Sequence, residues 1–398
     1  MSKSKSKSKS KSPATGFGFT TETRSAFRKA VLRWYDQNGR HLPWRESADP
    51  YRIWLSEIML QQTTVAAVVP YFERFAAECP DVATLAATPL DRVLRLWEGL
   101  GYYSRARNLH RAAQVVMSDH KGIIPDSVES LQALPGIGRY TAGAIASFAF
   151  NKPVPIVEAN TERLYARLMA LQDDVRSSSS QKLLWSYAEE IIPSKRAGDF
   201  NQALMDIGAQ VCTPSNPKCN ECPLSQWCQA AERGEQNELP RRKARVAITP
   251  VCEIAIAVRY RDSWCLRRRS EGERWAGMWD FLRREVPESL LTFLPSGRSS
   301  STKKERKRPS LFTHELELPD ALHDLVAGCT STPPGKIQRW TELNYSVTRY
   351  RVRLIVLECQ TDRRSKLPED YCWVNAAEFG ELPLSITGRK IATWLASE

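Results

Sequence analysis

The stretch that most constrains this fold is a glycine-rich turn between two helical patterns, at residues 134–143 (Leu-Pro-Gly-Ile-Gly-Arg-Tyr-Thr-Ala-Gly). Residues 126–129 (Asp-Ser-Val-Glu) have the composition of a helix start, and small residues from Thr141 onward predict a closely packed second helix. Glycines at 136 and 138 let the turn adopt positive φ and leave its backbone uncovered. Free N–H groups at the second helix's start then favour a nucleic-acid phosphate. The alternative is a plain glycine C-cap between packed helices.

The positive charge of the chain is concentrated in two short segments. The formal net charge over 398 residues is +12, but a Ser-Lys repeat over residues 2–12 holds five lysines, and residues 303–308 hold five basic residues and one acid. Without these segments, 47 basic residues face 44 acidic ones. The basic pI is therefore weak evidence for nucleic-acid binding, although a lysine-rich arm suits non-specific phosphate contact.

Four of the ten cysteines, Cys212, Cys219, Cys222 and Cys228, lie within 17 residues, and the other six are scattered. We therefore expect a reducing compartment and a metal site. Zinc is one alternative, but zinc sites usually pair two C-x2-C knuckles across a longer gap. The spacing C-x6-C-x2-C-x5-C favours a [4Fe–4S] cluster. Neither a run of 18 apolar residues nor an apolar stretch behind the charged N-terminus is present, so we expect no transmembrane helix and no secretory signal.

A glutamate occupies an unusual position in the helical pattern of residues 53–64. Glu57 has apolar neighbours on nearly every side of that helix. Burial raises the pKa of a carboxyl group, which suits a general acid near neutral pH. The alternative is a glutamate neutralised by a buried arginine.

A second carboxylate, Glu158, precedes a helix predicted over residues 161–171. Pro153 and Pro155 forbid a helix before it, so Glu158 lies at a loop-to-helix junction. Helix N–H groups there favour an ionised carboxylate. An N-cap role is the alternative for Glu158 and for Asn160.

Two further segments combine aromatic and cationic residues. Residues 41–45 (His-Leu-Pro-Trp-Arg) place an aromatic beside a cation, and residues 97–108 hold two glycines, two tyrosines and two arginines. Aromatics that stack on bases beside phosphate-binding cations suit a nucleic-acid groove. A packed surface loop and a helix start with a solvated basic face are the respective alternatives.

The sequence pattern changes after residue 232 from helical to charged and then to strand-like, with strands predicted at 251–260 and 350–358. We predict the following organisation: a disordered Ser/Lys-rich tail at 1–20, a mainly α-helical region at 21–232, a linker at 233–250, and an α+β domain at 251–398 with a disordered insertion at about 296–310.

These motifs together resemble the MutY-type adenine DNA glycosylases of the helix-hairpin-helix superfamily. The resemblance covers residues 24–398 and is strongest through 232. Its matching stretches are residues 42–44, 54–63, 99–103, 134–143 and 200–206, and the cysteine quartet. It implies a mainly α helix-hairpin-helix glycosylase region with an iron–sulfur cluster loop, followed by an α+β Nudix-like domain.

The resemblance also implies a reaction, the removal of adenine mispaired with 8-oxoguanine or guanine in double-stranded DNA. The base is flipped out because its N-glycosidic bond is unreachable inside a duplex. Glu57 would protonate adenine N7, and the carboxylate at 158 would stabilise the oxocarbenium-like sugar. The other implied site residues are Tyr140 and Asn160 in support of catalysis, Trp44, Arg45 and Gln202 around the adenine, Gln62 and Tyr102 in the stack around 8-oxoguanine, and Gly136 and Gly138 on the DNA backbone.

This chain departs from the family pattern at several positions. The family normally has Asp where this chain has Glu158, and usually Gly at Ala159. Glu162 stands where some members carry lysine, which argues against a lyase step. The C-terminal domain has no Nudix catalytic box, so we expect it to bind and not hydrolyse. The family's Phe-Ser-His loop falls at residues 347–349, where only Thr348 keeps a hydroxyl.

Two alternatives stay open. The first is a glycosylase of the same fold with another base specificity, such as a pyrimidine, against which residues 57–63 and the C-terminal domain argue. The second is a mismatch-binding protein whose catalysis is weakened by Glu158, against which Glu57, Tyr140 and Asn160 argue. We expect a monomer without a membrane partner, located in the cytoplasm with the nucleoid of a bacterium or in the nucleus of a eukaryote.

Overall fold

The structure, a computed structural model, describes residues 17–242, 247–293, 311–330 and 336–396. The chain divides into two compact units. Unit 1 comprises Met1–Ala87 and Asn108–Ala244, and unit 2 comprises Thr88–Arg107 and Arg245–Glu398. Most of the predicted N-terminal tail and the predicted insertion at 296–310 lie outside the described residues.

Helices make up the regular structure of residues 17–233. In chain order they are α1 (Thr21–Asn38), α2 (Pro50–Leu60), α3 (Val65–Glu78), α4 (Val82–Ala87), α5 (Leu90–Leu96), α6 (Ser104–Asp119), α7 (Val128–Ala133), α8 (Arg139–Phe148), α9 (Ala159–Leu168), α10 (Ser178–Ile191), α11 (Ala197–Gln210) and α12 (Gln229–Arg233). Helix α5 and the first turn of α6 belong to unit 2. No helix in the described ranges is long and apolar enough to cross a membrane.

The predicted helical hairpin is formed by α7 and α8. Ser127 caps α7 by accepting the N–H of Ser130. Gly136 has φ +78°, and a Cβ there would lie 2.6 Å from that of Asn108, so both conformation and space require glycine. Gly138 instead caps α8 with φ −91°, so the positive φ expected of both glycines is wrong for Gly138.

Helix α2 explains how a charged residue becomes buried in unit 1. Asp49 caps its N-terminus by accepting the N–H of Tyr51, and Pro50 occupies the first helical position. Seven consecutive residues, Ile53–Met59, are buried, so this helix has almost no polar face and carries Glu57 inside. Helices α1, α8 and α9 all pack against α11.

Unit 2 contains a mixed eight-stranded sheet within its described residues. The strands are β1 (Thr249–Tyr260), β2 (Ser263–Arg268), β3 (Trp279–Asp280), β4 (Leu282–Val286), β5 (Leu311–Glu317), β6 (Lys336–Val347), β7 (Tyr350–Gln360) and β8 (Tyr371–Asn375). Their order is β3-β2-β1-β7-β6-β5, with β4 on β1 and β8 on β2. Strands β1 and β7 are parallel and the other pairs are antiparallel. Both predicted strands are present.

Two short helices complete unit 2, α13 (His323–Val326) and α14 (Ile386–Leu395). Apolar residues of α14 pack on one apolar face of the sheet, while residues of α13 belong to the core on the other. The segment Thr88–Arg107 also belongs to this unit, although the sequence predicts one continuous region over 21–232. Two ion pairs connect this segment to the rest of unit 2, since Asp91 binds Arg268 and Glu98 binds Arg389.

Candidate active site

Unit 1 contains a cavity of about 820 Å³, a size typical of ligand sites. Its walls come from the 3-10 turn Pro43–Arg45, from α2 and the residues after it, and from α8, α9 and α11. The cavity brings together half of the residues that the sequence predicts for the site: Trp44, Arg45, Glu57, Gln62, Tyr140, Glu158, Asn160 and Gln202.

Glu57 is only 4% exposed, and its carboxyl group accepts a hydrogen bond from Tyr140. The Tyr140 Oη lies 2.6 Å from Glu57 Oε2. Burial raises the pKa of Glu57 to about 7, although the Tyr140 hydrogen bond and the charge of Arg45 oppose that rise. A substantial fraction of Glu57 is therefore protonated at neutral pH, as a general acid requires.

Tyr140 owes its position to the hairpin. Helix α8 begins at Arg139, directly after the turn, so Tyr140 lies in the first helical turn. Burial, followed by the charges of Glu57 and Glu158, raises the pKa of Tyr140 well above its ordinary value. The phenol therefore stays protonated and acts as a hydrogen-bond donor to Glu57.

Glu158 is the N-cap of α9 and also lines the cavity. Its two carboxylate oxygens each accept a backbone N–H, from Asn160 and from Thr161, both at 2.9 Å. Burial raises the pKa of Glu158 above its ordinary value, even though these two hydrogen bonds oppose the rise. The backbone N–H groups therefore favour the ionised form, as expected, but burial has the larger effect on the pKa of Glu158.

Asn160 is connected to the cysteine loop through Arg163. One Arg163 nitrogen donates to Asn160 Oδ1 at 3.0 Å and to the carbonyl of Gly208 at 2.6 Å, while Nε donates to the carbonyl of Cys212 at 2.7 Å. A Cβ at Gly208 would lie 2.7 Å from that of Asn160. Close helix packing and one arginine thus hold Asn160 in place.

A residue absent from the predicted site, Asp206 on α11, fixes one wall of the cavity. Its buried carboxylate accepts two hydrogen bonds from Arg45, at 2.8 and 3.1 Å, and one from Arg40 Nε at 2.7 Å. Burial opposes ionisation of Asp206, but these hydrogen bonds and charges outweigh it and hold its pKa below the ordinary value. Arg45 thus directs its guanidinium to Asp206, and the direct hydrogen-bond partner of Glu57 is Tyr140.

The remaining predicted cavity residues lie on three elements. Trp44 is buried in the 3-10 turn and packs edge-on against Phe72, with ring centroids 5.3 Å apart. Gln202 projects from α11, and Gln62 follows α2 with φ +58°. Such a backbone conformation is uncommon for a non-glycine residue and concentrates at functional sites.

The other predicted DNA-binding residues lie outside this cavity. Gly136 and Gly138 are exposed in the hairpin turn of unit 1. Tyr102 belongs to unit 2, is 46% exposed and has φ +48°. Thr348, also in unit 2, is exposed between β6 and β7 with φ +52°, and its hydroxyl donates to the carbonyl of Val347.

The four clustered cysteines are free thiols that line one small shared cavity of about 20 Å³. Arg167 is buried beside it and donates to the sulfur of Cys212 at 3.2 Å. Among the described residues, no three His, Cys, Asp or Glu are close enough to hold a single metal ion. Four thiols around one shared cavity, with a cationic donor beside them, have the composition of an iron–sulfur cluster site. Bound there, the cluster would cross-link the loop.

Arg167→Gln is expected to lower the bound iron per chain and to destabilise the cysteine loop. Besides the sulfur, Arg167 donates to the carbonyls of four residues, Cys212, Thr213, Pro214 and Leu239. Losing charged hydrogen bonds from a buried group costs about 1.5–3 kcal/mol each. Iron analysis and visible absorbance measure the effect. Arg111→Gln, on the exposed face of α6, is the control, and unchanged iron content in both variants contradicts the prediction.

Comparisons with known proteins identify the family of the chain. Residues 55–190 match the HhH-GPD superfamily of base excision DNA repair proteins, and residues 212–228 match the iron–sulfur binding domain of endonuclease III. An adenine DNA glycosylase of Buchnera aphidicola (subsp. Acyrthosiphon pisum) is 38% identical over 68% of this chain and 78% of its own length. The human adenine DNA glycosylase is 44% identical over 54% of this chain and 41% of its own length. A solved thermostable thymine-DNA glycosylase is 31% identical, with a TM-score of 0.48, over 53% of this chain and 98% of that chain.

The helical hairpin, the buried acid in a cavity and the cysteine loop define a base-excision DNA glycosylase that carries a [4Fe–4S] cluster. Such an enzyme hydrolyses an N-glycosidic bond. Within that class, the chain belongs to the adenine DNA glycosylase family. The predicted helix-hairpin-helix fold and the predicted cluster are thereby confirmed.

Proposed function

We propose that this protein removes adenine mispaired with 8-oxoguanine or guanine from double-stranded DNA. The observation that carries the proposal is the Glu57–Tyr140 pair, a buried acid with a pKa of about 7 in one cavity with a second carboxylate, Glu158. The relatives indicate which base is removed, since both the Buchnera and the human protein are adenine DNA glycosylases.

The reaction needs a proton donor on the base side and negative charge on the sugar side. Protonated Glu57 gives its proton to adenine N7. The bond between C1′ and N9 then breaks, and the electron pair of that bond leaves with the neutral base. The deoxyribose becomes an oxocarbenium-like cation, which the Glu158 carboxylate stabilises. Water adds at C1′ and returns a proton to Glu57. Tyr140 keeps the Glu57 carboxyl oriented throughout.

The adenine lies against Trp44, Arg45 and Gln202. The amide of Gln202 can donate and accept, which matches the mixed donors and acceptors on the adenine edge. Arg45 enters this contact already fixed by Asp206, so binding costs little reorganisation.

DNA outside the cavity is bound by backbone and aromatic groups. First-turn N–H groups of α8 lack carbonyl partners within the helix and bind a phosphate at Gly136 and Gly138. Gln62 and Tyr102 enter the base stack. In the exposed segment at Thr348, the neighbouring Arg349 guanidinium lies 5.1 Å from the Tyr350 ring and contributes a cation beside the damaged base.

Single-turnover base release from defined duplexes tests the proposal. Duplexes carrying A opposite 8-oxoguanine, G or T are compared with one carrying T opposite G. We expect adenine release from the first two and little from the A·T duplex. Thymine release alone would support the same-fold enzyme with another base specificity, and tight binding without release would support a mismatch-binding protein.

The pH dependence of adenine release follows from the two carboxyl groups. Glu57 works in its protonated form, and its pKa is raised to about 7, so the rate is expected to fall as pH rises through about 7. Glu158 works ionised, and its raised pKa moves the acidic limb of the profile above the ordinary glutamate value. Single-turnover rates between about pH 4 and about pH 9 give both limbs. A flat profile across neutral pH contradicts the role of Glu57.

A further inference from the structure

The loop at residues 97–103 of unit 2 is held in an uncommon conformation. Gly99, Gly101 and Tyr102 have φ of +106°, +71° and +48°. A tyrosine in the left-handed region is costly and persists only where surrounding contacts determine it. Some of these contacts are internal, since Trp97 Nε1 and an Arg105 nitrogen both donate to the carbonyl of Gly101. The outcome is a tyrosine presented to solvent.

Glu98 lies in the same loop, and its side chain is only 9% exposed. Its two oxygens accept a fork of hydrogen bonds from Arg389, Nε to Oε1 at 2.7 Å and a terminal nitrogen to Oε2 at 2.9 Å. Arg95 adds a third, at 3.0 Å. A bidentate arginine–carboxylate pair fixes orientation as well as distance.

The Arg389 guanidinium is also held by hydrogen bonds to backbone carbonyls. It belongs to α14 and also donates to the carbonyls of Phe379 and Leu382, the latter at 2.9 Å. Arg95 similarly donates to the carbonyl of Gly380 at 2.7 Å. The Arg389 guanidinium therefore links the backbone at Phe379 and Leu382 to Glu98, the residue that immediately precedes Gly99.

We propose that Arg389 is a positioning residue for Tyr102. Through Glu98, the C-terminal helix α14 fixes the backbone of the 97–103 loop and thereby the place at which the Tyr102 ring enters the base stack. Without the hydrogen bonds between Arg389 and Glu98, the 97–103 loop relaxes toward commoner backbone conformations, and the Tyr102 ring moves with it. The inference rests on the DNA-stacking role of Tyr102 in the proposed function.

A double-mutant cycle on the full-length protein tests this inference. Glu98→Gln weakens the hydrogen bonds to Arg389 but leaves Arg389 its carbonyl partners, so α14 stays anchored. Tyr102→Ala removes the aromatic ring. The readout is affinity for a duplex with a non-cleavable adenine analogue opposite 8-oxoguanine. We expect about a tenfold loss for each single variant, and for the double variant no more loss than for Tyr102→Ala alone. Arg389→Lys, which keeps the charge but not the fork, is expected to lie between wild type and Glu98→Gln.

Arg353→Met is the control, because Arg353 also donates two hydrogen bonds to a carboxylate of unit 2, both to Glu342 Oε2 at 3.1 Å. Its affinity for the duplex is expected to equal that of wild type. Losses that multiply in the double variant, or wild-type affinity in Glu98→Gln, overturn the inference. If wild type releases no adenine but the cycle is non-additive, the proposed function fails while the positioning role stands.

Discussion

Glu57→Gln is expected to lower the single-turnover rate of adenine release by about 10³-fold, within the range of about 10²–10⁴ that a general acid contributes. The amide has the shape of the acid but no proton to give. Tyr140 can still donate to its carbonyl oxygen, so the pocket keeps its geometry. Binding to a duplex with A opposite 8-oxoguanine is expected to persist, which separates loss of chemistry from loss of recognition.

Glu73→Gln is the matched control for this result, since Glu73 is an exposed glutamate of α3. Both variants are compared with wild type for adenine release, DNA affinity and thermal unfolding. Full activity in Glu57→Gln would show that Glu57 is not the general acid and would contradict the proposed mechanism. Loss of both binding and folding would make Glu57 a structural residue.

Glu158→Ala is expected to lose about 10²-fold or more in rate, because the substitution removes the carboxylate that stabilises the sugar cation in the proposed mechanism. It also removes the N-cap of α9, which costs about 1 kcal/mol of stability. Glu158→Asp keeps the charge and a good cap but withdraws the carboxylate by one methylene. Comparing its single-turnover rate with that of wild type therefore shows whether the cavity requires the longer side chain of Glu158.

Ser177→Ala controls for the cap, because Ser177 caps α10 by accepting the N–H of Ser180 and does not line the cavity. It is expected to lose similar stability and keep its rate. Wild-type activity in Glu158→Ala would reduce Glu158 to a helix cap. Inert wild-type protein with an active Glu158→Asp variant would identify this chain as a mismatch binder built on a glycosylase fold.

Local sequence patterns predicted the parts of the site whose environment is set by near neighbours. The burial of Glu57 follows from apolar residues around its own helix, and the hairpin follows from two glycines between helical patterns. The cysteine loop follows from spacing alone. In each case the residues that determine the outcome lie close together along the chain, within fewer than 20 residues.

Long-range contacts and competing electrostatic effects lie beyond such patterns. Asp206 resembles Glu57 in being an acid within an apolar helix, and that signal could have identified it, but its partners Arg40 and Arg45 lie about 160 residues away. Glu98 and Arg389 are 291 residues apart. For Glu158, the sequence predicts the helix N–H groups but not the depth of burial, which decides the direction of its pKa shift.

The division of the chain into units has a consequence for any attempt to separate them. The backbone passes from one unit to the other after Ala87, after Arg107 and after Ala244. A single cut near residue 244 therefore cannot yield two complete halves, because residues 88–107 stay with the other fragment. The C-terminal fragment would lose Asp91 and Glu98, and Arg268 and Arg389 would lose their carboxylate partners. Separating the strand-rich part of the chain from residues 88–107 is therefore expected to leave two arginines without their carboxylate partners.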